Sequence, residues 1–414
     1  MMKLTTQEQT MLDGQCGYPV QKSMEILVAL GEAYDADIMI PVNHVHLATG
    51  AILVAGDGWS DFVQEMTDSG GRLVVRATTN PSSIDPVIYK ELGVSETLAE
   101  KQMRYSENLR RLGATLCHTC APYLIGFIPQ MGEHIVSGES SNIAYMNSVL
   151  GVRTNRAGAP LGLAAALTGR IPYHGLHVTE NRRGDVLVRV KTPLSDPTDY
   201  GLLGLFIGDR LTDSIPVFDG LPSSIPNEAL KQLGAALNSS GAIPLFHIVG
   251  VTPEAPTMEA AFQGDTPRRV LEVTEKDIDE TREYLNSATG APNWIAVGCP
   301  HTSIWEIREL VDRLDGRRIH GDVEFWVCAA EPVRAYAERM GYRSALRKSG
   351  VRIVCETCPA IAPADEIACR LGNVAVMATN SAKLAHYMPS EWGIKSLYGS
   401  THACVDAAVS GKWG

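Results

Sequence analysis

No run of about eighteen or more apolar residues occurs in the 414-residue chain, although apolar residues make up 45% of it, so no bilayer-spanning helix is expected. An apolar signal-peptide core is missing too. The opening MMKLTTQEQTMLDG is polar and contains a Thr5–Glu8 capping box, the reciprocal pairing that starts a helix. These absences predict a cytoplasmic protein. Basic runs are also lacking and the net charge is −11, which argues against nucleic acid and against anionic membranes as partners. The acidic residues are scattered, as on a solvated surface. No internal repeat and no low-complexity linker is found.

The cysteines lack the familiar groupings. There are nine, but no CxxCxxC run, and the CxxC of CHTCAPY (Cys117 to Tyr123) has no partner at zinc-finger spacing. In a reducing compartment these thiols are not expected to form disulfides. A buried free thiol behaves as a small hydrophobe. Cys328, inside the apolar EFWVCAA, takes that reading, and so do the isolated Cys16 and Cys369.

What is present is a long alternation of helices and strands, enough for two or three domains and a sizeable core. After the capped first helix, Val20, Met24, Leu27 and Val28 share one helical face. RLVVRATTN reads as a strand entering a polar loop at Thr78–Asn80. NLRRLGATLCHTC reads as a helix end, a glycine stop and a short strand near ATL. Residues 139–170 read as helical and rich in small side chains, a packing unit beside a site. Strands such as VLVRVKT and IPLFHIVGVTP follow. From about residue 290 the rhythm sharpens: strands NWIAVG, VEFWVCAA, VRIVCE and VAVMAT, with helices SIWEIRELVDRLD (capping box Ser303–Glu306) and PVRAYAERMGY. The pattern predicts an α/β protein of several βαβ layers with mostly parallel sheets. We divide it into an N-terminal α/β region, 1–285, and a C-terminal α/β domain, 286–414.

Ligands of open α/β sheets bind beyond the carboxyl ends of the strands. Cys120, Cys299 and Cys358 each lie in a loop leaving a strand, close to Pro122, Pro300 and Pro359, which hold the loop in a turn. The pattern therefore predicts a site assembled from three distant loops. Three chemistries fit it: a zinc site, although structural zinc prefers four ligands; an iron–sulfur cluster held by three cysteines with one open iron; or buried thiols alone. Glu139-Ser140-Ser141 precede a small-residue helix and are expected to cap it, serine being a strong cap, while its N-terminus attracts a carboxylate or phosphate. Asn147, Arg153, Asn155 and Arg156 are either site groups or a hydrogen-bonded helix end. His44, His46 and His301 are candidate proton carriers or structural histidines, and His301 beside Cys299 is also placed to tune a cluster.

CHTCAPYLIGFIPQMGEHIVSGESSNIAYMNSVLGVRTNRAG, IAVGCPHTSIWEI, CETCPAIAP and ATNSAKLAHYMP resemble the large subunit of the aconitase X family, and the resemblance extends to LTTQEQTMLDGQCGYPVQKSMEILVALGEAY, so it covers nearly the whole chain. It implies an aconitase-superfamily-like fold and a hydro-lyase. It places an iron–sulfur cluster on Cys120, Cys299 and Cys358, with Cys404 in reserve. Cys117 and Cys355 neighbour proposed ligands, and strand alternation turns Cys355 toward the core. The resemblance places substrate contacts at Gly50, Ala51, Thr79, Asn80, Pro81, Glu139, Ser140 and Lys383. The chain ends where the family's large part ends, so the small swivelling part, with the catalytic base, is expected as a separate chain in a heterodimer. The early loop NHVHLATGAILVAGDG favours cis-3-hydroxy-L-proline, dehydrated to pyrroline-2-carboxylate. Mevalonate 5-phosphate is the alternative substrate, and a non-catalytic, zinc-binding scaffold the alternative class.

Overall fold

The computed structural model describes residues 2–372, 374 and 376–414. Three separate sheets, each wholly parallel, carry the architecture. In the first, His44–Leu47 lies between Arg76–Thr79 and Ile135–Ser137. The second runs His247–Ile248, Pro216–Asp219, Val186–Val190, Arg269–Val273. The third runs Arg352–Cys355, Glu324–Ala329, Trp294–Val297, Val376–Thr379, Lys395–Tyr398. A small antiparallel pair, Met39–Pro41 with Arg170–Pro172, closes the N-terminal region. The α/β expectation of mostly parallel sheets holds.

In the third sheet the chain starts at the central Trp294–Val297, winds outward to one side, then returns to the other side. Strand order therefore reverses between Trp294–Val297 and Val376–Thr379, the position where open α/β sheets leave a crevice at their carboxyl ends. The first sheet also begins centrally, so its own reversal lies between His44–Leu47 and Ile135–Ser137.

Period-two burial explains why the third sheet is fully covered. Ile295, Val297, Phe325 and Val327 pack on Ile307, Leu310 and Leu314 of the helix Ile304–Leu314. Trp294, Ala296 and Trp326 turn the other way and meet Ile84, Leu92 and Ala99 from the N-terminal region. The N-terminal region thus forms one wall of the C-terminal sheet.

Both expected capping boxes form, at Thr5–Glu8 and Ser303–Glu306. Several expected elements are shorter. Of RLVVRATTN only Arg76–Thr79 is strand, and of IPLFHIVGVTP only His247–Ile248. The strand near ATL reduces to a single bridge from Thr115 to Thr78. Residues 139–170 form two helices, Ser140–Ser148 and Ala159–Thr168. Between them, Gly151 has a positive φ, and Arg153 and Arg156 bridge to His134 and Ser137, drawing the chain out of the helix. Cys328 is fully buried, but Cys16 and Cys369 are exposed, contrary to expectation. Cys16 sits in the turn between the first two helices, and Cys369 on the short helix Ala364–Arg370.

Candidate active site

Two loops leaving the first sheet lie backbone to backbone. A Cβ on Gly50 would overlap the Asn80 carbonyl and crowd that of Pro81, so glycine is required there. Asn80 N donates to Leu47 O (3.0 Å) and its Nδ2 to Ala48 O (3.1 Å). Gln102, almost fully buried, joins both loops: Nε2 donates to Gly50 O (2.8 Å), while Oε1 accepts from Ile52 N (2.9 Å) and Ser83 N (3.2 Å). Gly50, Ala51, Asn80 and Pro81 are thereby gathered in one place. The Thr79 hydroxyl accepts from Cys117 N (3.2 Å) and His118 N (3.1 Å), so it holds the next loop.

At the neighbouring strand exit Glu139 is itself the helix cap, where serine was expected to serve. Its carboxylate accepts from Asn142 N (2.6 Å), Ser141 Oγ (2.6 Å) and Ser140 Oγ (3.2 Å). Lys383 arrives from the third sheet, on the helix that follows Val376–Thr379. Its Nζ donates to Glu139 Oε1 and Ser140 Oγ, both at 2.9 Å. Both charges are buried, at 8% and 7% side-chain exposure. Burial pushes the Glu139 carboxyl up, but Lys383 and the hydroxyl and amide donors outweigh it and hold the group at about 2. Burial also works against the Lys383 ammonium, and the Glu139 charge more than offsets it. Both stay ionised at neutral pH.

Cys120, Cys299 and Cys358 are all buried, in three loops brought to one place. The neighbouring Cys358 side chain holds Cys299 below the usual thiol range against the effect of burial. Burial, then the negative charges of Glu139 and Cys299, push Cys120 up to about 12. Ser381, the cap of the Lys383 helix, donates through Oγ to the Cys299 carbonyl and so ties that helix to the cysteine loop. Ahead of Cys299, Gly298 has a positive φ, and a side chain there would strike the Cys328 carbonyl.

Of the remaining buried thiols, Cys328 packs on the same Trp294 face as Cys299 and Cys358, and Cys117, Cys355 and Cys404 fall outside the group. Cys117 Sγ donates to Thr79 O (3.4 Å). Cys355 and Cys404 pack in the core on the Ile295 and Val297 face, whereas Cys299 and Cys358 pack on the Trp294 face. Among the described residues no three His, Cys, Asp or Glu side chains close on one ion position. A cluster distributes its cysteines over different irons, so the sulfurs need not share one ion. A soft, all-sulfur donor set with no fourth ligand fits such a cluster better than structural zinc.

Of the other polar residues, Asn147 is structural: Nδ2 donates to Thr154 O (2.9 Å) and Pro244 O (3.0 Å). Arg153 binds His177 O (2.9 Å), and Asn155 binds His174 O (3.0 Å) and Leu176 N (2.7 Å). Arg156 is exposed, near Tyr387. His46 is fully buried, bonded through Nδ1 to Thr78 Oγ1 (2.8 Å), and burial lowers it to about 4; burial lowers the half-buried His44 as well. Sequence reasoning missed Gln102, Ser381 and the buried Lys231. Only Ser381, a serine directly before a helix, carried a readable capping signal. Among the described residues no helix is long and apolar enough to cross a membrane.

Fold and site together define an α/β protein in which the first and third parallel sheets direct buried thiols and a buried ion pair into a common strand-end site. The chain belongs to the aconitase X family. Its residues 1–180, 184–283 and 292–410 match the family profiles described as aconitase X first, second and third domain. It is 38% identical over 393 residues to the phosphomevalonate dehydratase large subunit of Methanothermobacter thermautotrophicus, covering 94% of this chain and 95% of that one. It is 35% identical over 413 residues to the cis-3-hydroxy-L-proline dehydratase of Pseudomonas aeruginosa, covering 99% of this chain and 70% of that protein. The crystal structure of Thermococcus kodakaraensis aconitase X (holo-form) superposes with a TM-score of 0.88 at 33% identity, over 98% of this chain and 100% of that one.

Proposed function

We propose that the chain is the large subunit of an iron–sulfur hydro-lyase that removes water from a small hydroxy acid. The observation that carries this reading is the convergence of Cys120, Cys299 and Cys358 with the Lys383–Glu139 pair at the strand-order reversals. A bound cluster with an open iron would supply Lewis acidity toward the departing hydroxyl. The chain's own residues position the substrate. Lys383 has three donors; Glu139 and Ser140 engage two, which leaves the third for a substrate carboxylate. Glu139 is held ionised, so its part is to fix Lys383 and not to donate a proton. The backbone edge formed by Gly50, Ala51, Asn80 and Pro81 is assigned to substrate contact as well. No side chain here is assigned as the base that takes the substrate proton, and we place that base on a small partner chain.

For the substrate we favour cis-3-hydroxy-L-proline, giving pyrroline-2-carboxylate. A phosphate calls for several cationic donors. Of the cations considered from the sequence, Arg153 is committed elsewhere, leaving Lys383 and the exposed Arg156. The competing reading, mevalonate 5-phosphate, is supported by the matching length and higher identity of the phosphomevalonate dehydratase large subunit. A side-by-side anaerobic assay of both compounds with the two-chain enzyme decides. Turnover of cis-3-hydroxy-L-proline is expected; turnover of mevalonate 5-phosphate alone would reverse the choice.

A partner chain is supported by the name "large subunit" of the phosphomevalonate dehydratase relatives and by exposed apolar side chains beside three of the site loops. Leu53 and Val54 follow Gly50–Ala51, Ile128 and Met131 follow the Cys120 loop, and Trp305, 65% exposed, follows the Cys299 loop. Truncating an aromatic anchor of an interface typically costs about 2 kcal/mol or more. Trp305→Ala is therefore expected to weaken the complex with the small subunit at least tenfold in a calorimetric titration. Unchanged affinity would place the partner elsewhere.

A further inference from the structure

His301 lies two residues beyond Cys299, has no exposed surface, and touches all three cysteine loops. Its backbone N–H donates to Cys120 Sγ (3.2 Å). Its ring Nδ1 meets Thr119 Oγ1 (3.0 Å), beside Cys120, and its Nε2 meets Thr357 O (3.2 Å), beside Cys358. The partners fix the tautomer. A carbonyl only accepts, so Nε2 carries the hydrogen and Nδ1 accepts from Thr119. That hydroxyl can donate because its own lone pair receives Ala121 N–H (3.1 Å). From the middle region comes a further hold: Lys231, 2% exposed, donates through Nζ to His301 O (3.0 Å) and to Glu306 Oε2 (2.5 Å). Glu306 in turn accepts from Ser303 N (2.7 Å) at the start of the helix that leaves this loop.

We infer that His301 is a positioning residue that pins the three cysteine loops to one another, with Lys231 clamping its backbone from the middle region. The three loops are far apart in sequence, so their ordering is opposed by chain entropy. A flat ring with a donor at one end and an acceptor at the other spans the gap between two of them, and its amide reaches the sulfur of Cys120. Groups behind metal ligands orient them in this way. The role extends the reading of the three thiols as one site, but the contacts belong to the protein alone and can be tested without metal.

The two ring contacts can be separated. Asparagine places an acceptor near the Nδ1 position and cannot reach Thr357; glutamine places a donor near the Nε2 position and loses Thr119. The metal-free full chain is labelled with iodoacetamide under native, reducing conditions, and each cysteine is quantified by peptide mass spectrometry. His301→Gln and Thr119→Val should each raise labelling of Cys120 about tenfold and leave Cys358 near its wild-type rate, a factor equivalent to ~1.4 kcal/mol of local opening. His301→Asn should do the reverse. Buried Cys328 and exposed Cys16 serve as internal references. A uniform rise that includes Cys328 in all three variants, or no rise at either loop, overturns the inference. Iron and sulfide analysis of the reconstituted wild type is run separately. A wild type that takes up no iron sinks the cluster reading and leaves the loop-specific labelling to stand or fall alone.

Discussion

Lys383→Met is expected to destabilise the metal-free chain by about 3–5 kcal/mol, because it leaves the Glu139 carboxylate buried without its counter-charge. Removing both charges together is expected to recover much of that loss, since a buried pair owes little net stability to its mutual attraction once desolvation is counted. The Lys383→Met, Glu139→Gln double variant in urea titrations checks this point. The pH dependence carries a second signature. Glu139 is held at about 2, below its ordinary value of 4.5, so its contribution is full above about 4.5 and fades as pH falls toward 2. In Lys383→Met the counter-charge is gone while the Ser141 and Asn142 donors remain, so the carboxyl moves up from about 2 toward its ordinary value. Stability of that variant should then fall less steeply with acid than the wild type over the same window, because less of it rests on the ionised carboxylate. In the reconstituted two-chain enzyme the same substitution should cost roughly 2–4 kcal/mol of transition-state stabilisation, as for one lost charge-assisted contact. A variant with wild-type stability, pH slope and turnover would remove Lys383 from the site.

The parts of this site that could be read from the sequence are those whose signal is local. Cys299 and Cys358 follow apolar strands and precede prolines, so their strand-end positions are visible in a few residues. The Ser303–Glu306 box marks its helix for the same reason. Cys120 was placed correctly in a loop, but the strand assigned before it is one bridge at Thr115. There the loop is held by the Thr79 hydroxyl and the Cys117 thiol, contacts that periodicity cannot show. Glu139 replaces serine as the cap because Ser140 and Ser141 point their hydroxyls at its carboxylate. That choice follows from Lys383, 244 residues away. Gln102, Lys231 and the His301 contacts are silent in sequence for the same physical reason. A buried polar side chain must find a partner, but nothing in its neighbours says which distant loop supplies it. The wall that Ile84, Leu92 and Ala99 form against the Trp294 face is likewise a tertiary fact, which no local pattern in that segment reveals.

Replacing Cys120, Cys299 or Cys358 by serine is expected to abolish the brown chromophore of the anaerobically reconstituted chain. A hydroxyl at a thiolate position is a poor ligand for a soft donor site, and the buried Cys117, Cys355 and Cys404 are turned away from the group. Cys117 is turned onto Thr79 O, and Cys355 and Cys404 lie in the core on the other face of the sheet. Cys328→Ser is the control. Cys328 has no exposed surface and packs with Ile84, Trp294 and Val354, so serine there costs about 1–3 kcal/mol for a hydroxyl buried among apolar groups. The chromophore should nevertheless persist at temperatures where that variant remains folded. Visible absorption, with iron and acid-labile sulfide determined on the same samples, checks both halves. Cys404→Ser should behave like the control, because Cys404 packs on the opposite face of the sheet from Cys299 and Cys358. Full iron and sulfide in all three ligand variants would remove the assignment. A colourless wild type that binds stoichiometric zinc would instead favour the scaffold reading. In that case the same three substitutions should release the zinc while Cys328→Ser retains it.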